Sequence, residues 1–291
     1  MTLDEHWFSE AYEDEGVAFS LRVRRTLLDE HTPYQHLQVF ETSHWGNLMT
    51  LDGCVMLTSR DNFLYHEMMS HPALFTHADP KRVLIIGGGD CGTLREVLRH
   101  PGVEQAVQVD IDEAVTRAAE RFFPELTEAN DDRRAELRFA DGVAYVRDAA
   151  AGAFDVVIID STDPVGFAEG LFGAAFLTDV HRILADGGVL VQQSESPLLH
   201  GESIIRGLHT ALAEAGFAHR ATLPFPVPSY PSGWWSATLA GKGVPVDCFR
   251  EADAAAMPFP TQYYSPGVHR GALAPPPLLA RAMAVGSGTF P

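Results

Sequence analysis

LIIGGGDCGTLREVLRH, residues 84–100, passes from an apolar strand through a glycine loop into a helix. Gly87, Gly89 and Gly92 fit the G-x-G-x-x-G spacing of a dinucleotide-binding turn, in which helix amides meet a pyrophosphate. Asp90 sits inside that loop, and it argues against such a ligand. A carboxylate about 4 Å from a phosphate costs ~1 kcal/mol in water and ~4 kcal/mol at an effective dielectric near 20. The loop is therefore expected to receive something other than a dinucleotide. Thr93 and Glu96 have capping-box spacing, which predicts that a helix starts directly after the loop. Asp90 then falls at the carboxyl edge of the first strand, where open α/β sheets bind ligands.

After Pro80 the chain alternates strand and helix patterns: KRVLIIGGG, TLREVLRH, AVQVDID, EAVTRAAERFF, ELRFADG, VAYVRDAA, FDVVIID, LTDVHRIL, GGVLVQQS, then a helix around Ile204 to Ala215. Continuous apolar strands such as Val83 to Ile86 and Val156 to Ile159 suit a parallel sheet covered on both faces. The expected fold class is α/β, a doubly wound sheet. Before it, Gln35 to Ser59 reads as extended, with Asp52-Gly53 between apolar runs as a hairpin signal. Asn62 to Phe75 reads as helix, with Phe63, Met68, His71 and Leu74 as inward candidates. Beyond Lys242 the chain is rich in proline and alanine and reads as a covering tail. The expected organisation is a small N-terminal β domain with a linking helix over 1–75 and the α/β domain with its tail over 76–291.

Lys and Arg number 21 against 39 Asp and Glu, a net charge of −18, which leaves no surplus of cations for phosphate and argues against a nucleic-acid partner. An acidic balance favours cationic small molecules, although most such charges serve as a solvated surface. The three cysteines, Cys54, Cys91 and Cys248, have neither disulfide nor zinc spacing, and the thirteen histidines show no HExxH. No metal is expected. The acidic N-terminus lacks an apolar core region and no run of eighteen apolar residues occurs, so neither secretion nor membrane insertion is expected and a cytoplasmic location fits.

Carboxylates recur at the strand ends. Asp110 closes the second strand a little over twenty residues beyond Gly87, the place of a ribose-binding acid, while Asp112 suits the cap of the following helix. Asp141-Gly142 follows ELRFA, where the carboxylate can meet an adenine amino group or merely start a turn. Asp160 and Asp163 lie three residues apart after a fully apolar strand. Asp before Pro is common in turns for local reasons, but with Asp90 the pair brings three carboxylates to one crevice. Like charges held together raise one another's pKa unless a cation balances them, and a polycationic ligand would do so. Tyr65-His66 precedes the α/β domain and can reach the crevice from the side, or be packed as core.

These residues together resemble the polyamine aminopropyltransferase family. The resemblance runs from Tyr34-Gln35 through YHEMM, VLIIGGGDCGTLREVLRHPGVE, DID, DSTDPVGFAEGLF, QQSESP and SYPSGWW to YYSPGVHR, nearly the whole chain. It implies a Rossmann-like, S-adenosylmethionine-dependent methyltransferase-like catalytic domain, a small N-terminal β domain and a homodimer or homotetramer. It implies transfer of an aminopropyl group from decarboxylated S-adenosylmethionine, a co-substrate and not a resident cofactor, to putrescine. By motif position it implies Asp160 as catalytic base helped by Tyr65, and Gln35, Asp90, Asp110, Asp141 with Gly142, and the loop glycines Gly87 and Gly89 on the donor side. His66, Asp90, Asp163 and Tyr230 would be amine contacts. The chain departs from the common pattern at Cys91, Asp110 and Phe167, and at Met56, where a glutamine is usual. Met56 with Trp234-Trp235 leaves cadaverine, agmatine or spermidine open as acceptors. A methyltransferase of the same fold, a NAD-dependent oxidoreductase and a non-catalytic polyamine binder are the rival readings.

Overall fold

The structure, a computed structural model, describes residues 3–13, 15–162 and 170–283. Asp163 and Phe167 lie outside the described residues.

A five-stranded antiparallel meander comes first: β1 (Trp7–Tyr12), β2 (Val17–His31), β3 (His36–Thr42), β4 (Asn47–Leu51) and β5 (Cys54–Thr58), paired in chain order. Asp52 and Gly53 turn β4 into β5 with φ of +51° and +82°, both in the left-handed region that a two-residue hairpin loop demands. Leu37, Val39, Met49 and Leu57 from one face of this sheet are buried against α3 (Glu113–Phe122) of the second domain. Sequence reading missed β1 and β2. Most of β2 is exposed or half-buried, so it lacks the alternation that marks a strand with one core face.

The second sheet has seven strands in the order β11-β12-β10-β9-β6-β7-β8. β6 (Arg82–Gly87), β7 (Gln105–Asp110), β8 (Ala135–Phe139), β9 (Phe154–Asp160) and β10 (Leu184–Gln193) run parallel. β11 (His219–Pro226) and β12 (Trp234–Gly241) add an antiparallel edge. On one face lie α1 (Asn62–Thr76), α2 (Gly92–Leu98) and the tail; on the other lie α4 (Gly142–Asp148), α5 (Ala174–Ile183) and α6 (Arg206–Glu214). This is the expected doubly wound, Rossmann-like arrangement. Every residue of β9 is buried, as its unbroken apolar run requires. The chain steps outward from β6 to β8 and returns through β9, so the strand order reverses between β6 and β9, and ligands bind at the carboxyl ends beside such a switch.

The tail carries α7 (Glu251–Ala255), α8 (Pro266–Ala272) and α9 (Pro277–Met283). It is tied to α1 by the Glu67 carboxylate, which accepts from the amides of Gln262, Tyr263 and Tyr264 at 2.8, 2.9 and 2.7 Å. Among the described residues no helix is long and apolar enough to cross a membrane.

Candidate active site

The capping box expected from Thr93 and Glu96 does not form. α2 starts after Cys91, whose side chain caps nothing and whose φ is +68°. Thr93 donates its hydroxyl to Asp160 Oδ2 at 2.6 Å instead. Glu96 turns away to Arg95 and Arg99, each at 2.8 Å, and to His71 at 3.2 Å. A buried carboxylate outcompetes a helix end for Thr93, because a charge-assisted hydrogen bond is about twice as strong as a neutral one.

Asp160 ends β9 and is buried. Its Oδ1 accepts from Tyr65 Oη, on α1, at 2.7 Å. Burial raises the Asp160 carboxyl above the usual aspartate range, the charge of Asp90 adds to this, and the two hydroxyl donors oppose it. Burial and the neighbouring Asp160 hold the Tyr65 phenol well above its ordinary value, so it stays protonated and donates. The glycine loop lies against the Asp160 backbone, the Gly88 amide donating to its carbonyl oxygen at 2.8 Å. Gly87 has φ of +83°, and a Cβ there would stand 2.1 Å from the Asp160 carbonyl oxygen, so no other residue fits.

The expected strand-end carboxylates stand along one cleft. Asp90, Asp110, Asp141 and Asp160 all line it, with Gln35, Tyr65, Gly87, Gly89, Gly142 and Tyr230, around some 1040 Å³ of empty space including its open mouth. Asp90 Oδ1 accepts from the Gly92 amide at 2.7 Å. Burial pushes Asp90 upward, but His66 and that amide outweigh it and the net shift is down, so Asp90 is ionised. Asp110, whose Oδ1 accepts from the Asp112 amide at 2.8 Å, is pushed by burial to about 6. Asp112 caps α3 through Ala114, as its sequence position suggests, and its other oxygen holds the Gln35 carboxamide at 2.9 Å. Asp141 caps α4 with one oxygen, Oδ1, on the Val143 and Ala144 amides. Leu51, Ile86, Val109 and Val115 add apolar wall between these acids. The combination, an apolar slot with a rim of acids, suits a flat nucleoside with a cationic arm.

Tyr230 donates its hydroxyl to the Met56 carbonyl at 2.6 Å, and its ring packs on Tyr65 and Trp235, with centroids 5.9 and 4.8 Å away. Behind these rings a smaller cavity, about 350 Å³, shares Met56, Tyr65, Ser161, Thr162 and Tyr230 with the cleft and ends on Glu10 and Gln193. Glu10 is buried, accepts from the Val55 amide at 3.0 Å and is raised by that burial. Glu195 stands close enough for its charge to act on Glu10, and its Oε1 accepts from Gln193 at 3.0 Å. Sequence reading missed Thr93, Glu10 and Glu195. Thr93 carried a competing cap signal, Glu10 lies on an unread strand, and for Glu195 only the QQSESP stretch offered a signal.

Residues 62–249 match the family model described as the spermine/spermidine synthase domain, and residues 6–59 match the spermidine synthase tetramerisation domain. A polyamine aminopropyltransferase from Alkalilimnicola ehrlichii is 65% identical over 276 residues, 95% of this chain and 96% of that one. Another from Halorhodospira halophila is 62% identical and covers 94% of this chain and 99% of its own. Among solved structures, a spermidine synthase in complex with the transition-state analogue AdoDATO aligns with a TM-score of 0.92 at 33% identity, over 97% of this chain and 96% of its own. The spermidine synthase of Thermotoga maritima aligns with a TM-score of 0.90 at 34% identity, over 96% and 95%.

Proposed function

The chain belongs to the spermine/spermidine synthase family and is an aminopropyltransferase, and from that premise we propose that it carries the aminopropyl group of decarboxylated S-adenosylmethionine to putrescine, giving spermidine and methylthioadenosine. The observation that carries this reading is the buried Asp160 carboxylate, bound by Tyr65 and Thr93 and lining one cleft with Asp90.

The acceptor amine has a pKa near that of lysine, about 10.4, so it arrives protonated and without a lone pair to attack with. Asp160 takes that proton, and its burial makes it a stronger base than an exposed aspartate. The freed nitrogen attacks the methylene carbon next to the sulfonium. The new C–N bond forms as the C–S bond breaks, and the bonding pair returns to sulfur as a neutral thioether. Tyr65 and Thr93 keep Asp160 aimed, and alignment of the two substrates supplies much of the acceleration.

On the donor side Asp90 holds the ammonium of the aminopropyl arm, Asp110 the ribose, and Asp141 with Gly142 the adenine. Gln35, Gly87 and Gly89 complete that wall. Asp90 favours a donor without a carboxylate and disfavours intact S-adenosylmethionine by like charge. Tyr230 lines the acceptor passage with its ring. The far ammonium of the diamine runs into the small cavity towards Glu10, and Asp163 would add a contact. We place the division between the two domains after residue 75, and take the chain to assemble as a homodimer or homotetramer through the N-terminal sheet.

Incubating the purified protein with decarboxylated donor and an equimolar panel of putrescine, cadaverine, agmatine and spermidine, then weighing the products by mass spectrometry, tests this reading. We expect spermidine and methylthioadenosine first. A dominant adduct of another amine overturns the acceptor assignment, and methylated amine from intact S-adenosylmethionine overturns the transferase chemistry.

A further inference from the structure

Between β2 and β3 the chain turns through Thr32, Pro33, Tyr34 and Gln35, and the turn is folded about one hydroxyl. Thr32 Oγ1 accepts from the Tyr34 and Gln35 amides at 3.1 Å each, while the Thr32 amide donates to the Gln35 carbonyl at 2.9 Å. The hydroxyl's own proton has two acceptors in reach, that carbonyl at 3.2 Å and Asp112 Oδ2 at 2.7 Å. The shorter bond goes to a carboxylate and is the stronger. Asp112 belongs to the second domain, at the start of α3, and is buried. Its Oδ1 is taken by the Ala114 amide at 3.1 Å, and its Oδ2 serves the first domain, receiving both the Thr32 hydroxyl and Gln35 Nε2, the latter at 2.9 Å.

A carboxylate whose neighbours all donate has no proton to give, and this decides which way the Gln35 carboxamide lies. Turned over, the carboxamide would set Oε1 against Asp112 Oδ2, two acceptors with no hydrogen between them. Nε2 therefore stays with Asp112, and Oε1 is the end left for the cleft that Gln35 lines. We propose that Asp112 and Thr32 are positioning residues for the nucleoside: Asp112 sets the direction of the Gln35 carboxamide, so that the nucleoside meets its oxygen, and Thr32 holds the turn that delivers it. The inference rests on the nucleoside-side role given to Gln35 above. Asp112 steers the opposite wall as well, since its amide donates to Asp110 Oδ1 at 2.8 Å. Gln35 from one domain and Asp110 from the other thus take their aim from a single residue at the seam between the two sheets. Both walls then offer acceptors, and a ribose has two hydroxyl protons to give, one to each.

Methylthioadenosine is neutral, so its calorimetric affinity reads this wall without the charge of the sulfonium arm. Asp112→Asn keeps the α3 cap through its amide oxygen but turns an NH₂ on Gln35, which must flip to accept; we expect binding about tenfold weaker, with putrescine KM within about twofold of the wild type. Gln35→Glu alone sets two carboxylates together, and above neutral pH we expect a loss of about tenfold or more. The double variant Gln35→Glu/Asp112→Asn keeps the wild-type net charge and exchanges the partners: the new amide donates, and the new carboxylate accepts while turning its second oxygen to the cleft. We expect it to bind within about threefold of the wild type, a recovery that only a directed pair gives. Thr32→Val should weaken binding about fivefold, through the lost bond to Asp112 and the two freed amides, and Thr32→Ser should restore it. Losses that add in the double variant, or that fall equally on putrescine KM, overturn the proposal. Should the variants fail to fold, neutron diffraction of the wild type with methylthioadenosine decides: we expect a ribose hydroxyl deuteron on Gln35 Oε1, and a Gln35 amide deuteron directed at the nucleoside contradicts it. A wild type that binds neither methylthioadenosine nor the decarboxylated donor overturns the functional reading as well.

Discussion

In the reaction proposed above Asp160 accepts a proton from an amine far more basic than itself, and burial, which raises its carboxyl, narrows that gap from one side. Replacing it by asparagine keeps the shape and one hydroxyl donor on the amide oxygen, while the other hydroxyl must turn to accept from the NH₂, and it removes the base; we expect kcat to fall about 10²- to 10⁴-fold, with donor affinity changed only a few-fold. Unchanged turnover in a kinetic assay of Asp160→Asn would remove it from the role of base. Asp110 shows the opposite tension. Its carboxyl ionises near 6 in the folded protein, above the 3.8 of an exposed aspartate. A raised carboxyl contributes stability that is complete below the unfolded pKa and is lost as pH rises through the folded one. At neutral pH the ligand-free protein therefore bears a half-buried charge that opposes folding. Asp110→Asn is expected to raise the thermal midpoint by a few degrees at pH 7, where about 1 kcal/mol moves a domain of this size by roughly 2–4 °C. The gain should vanish below pH 4, and the donor should bind about tenfold more weakly, for the loss of one charged hydrogen bond. A midpoint that does not move at pH 7 contradicts it. Asp90, Asp110, Asp141 and Asp160 were legible in the sequence because each ends a strand or follows its end by two or three residues. Thr93 was not, since its spacing to Glu96 matched a local motif and only the folded sheet brings Asp160 within reach.

At the scale of elements, α1 carries Tyr65, His66 and Glu67 in succession: one towards Asp160, one towards Asp90, one towards the tail. The Glu67 carboxylate takes three amides, so the tail braces the helix that presents Tyr65. Glu67→Gln leaves at least one of those amides, of which that of Tyr264 is buried, facing an NH₂ group, and we expect a loss of about 1–3 kcal/mol. Differential scanning calorimetry should show the midpoint lower by several degrees, with kcat reduced less than in Asp160→Asn. An unchanged midpoint would mean that the tail docks without Glu67. The parallel strands β6 and β9 were readable from their unbroken apolar runs, whereas β11 was hidden by Pro224 and Pro226. Proline is confined to sheet edges because it cannot donate to a ladder, and β11 is an edge strand. The first strands were obscured for a different reason, as β2 is long, twice shifted in register against β3 and wet on much of its length.

The whole molecule places an antiparallel meander over the carboxyl ends of a doubly wound sheet, so that Gln35 and Met56 from the first domain close a cleft whose acids come from the second. The chain's net charge of −18 has the same sign as the cleft's acids, a balance that favours cationic ligands. The doubly wound sheet could be read from alternation alone, and the meaning of its glycine loop followed from Asp90. What could not be read was the smaller cavity behind Tyr65 and Tyr230, because Glu10 and Glu195 are far apart in the chain and come near each other only when β1 folds against the second domain. On the proposed reading these acids select a ligand that is cationic where ordinary nucleotide and methyl-donor ligands carry an anion. Its most direct test is the calorimetric affinity of the protein for decarboxylated against intact S-adenosylmethionine, measured in parallel on Asp90→Asn. We expect the wild type to prefer the decarboxylated form by about 10²-fold or more, in keeping with ~4 kcal/mol for a close charge pair at an effective dielectric of 20, and the variant to lose most of that preference. Equal or tighter binding of the intact donor by the wild type would contradict it.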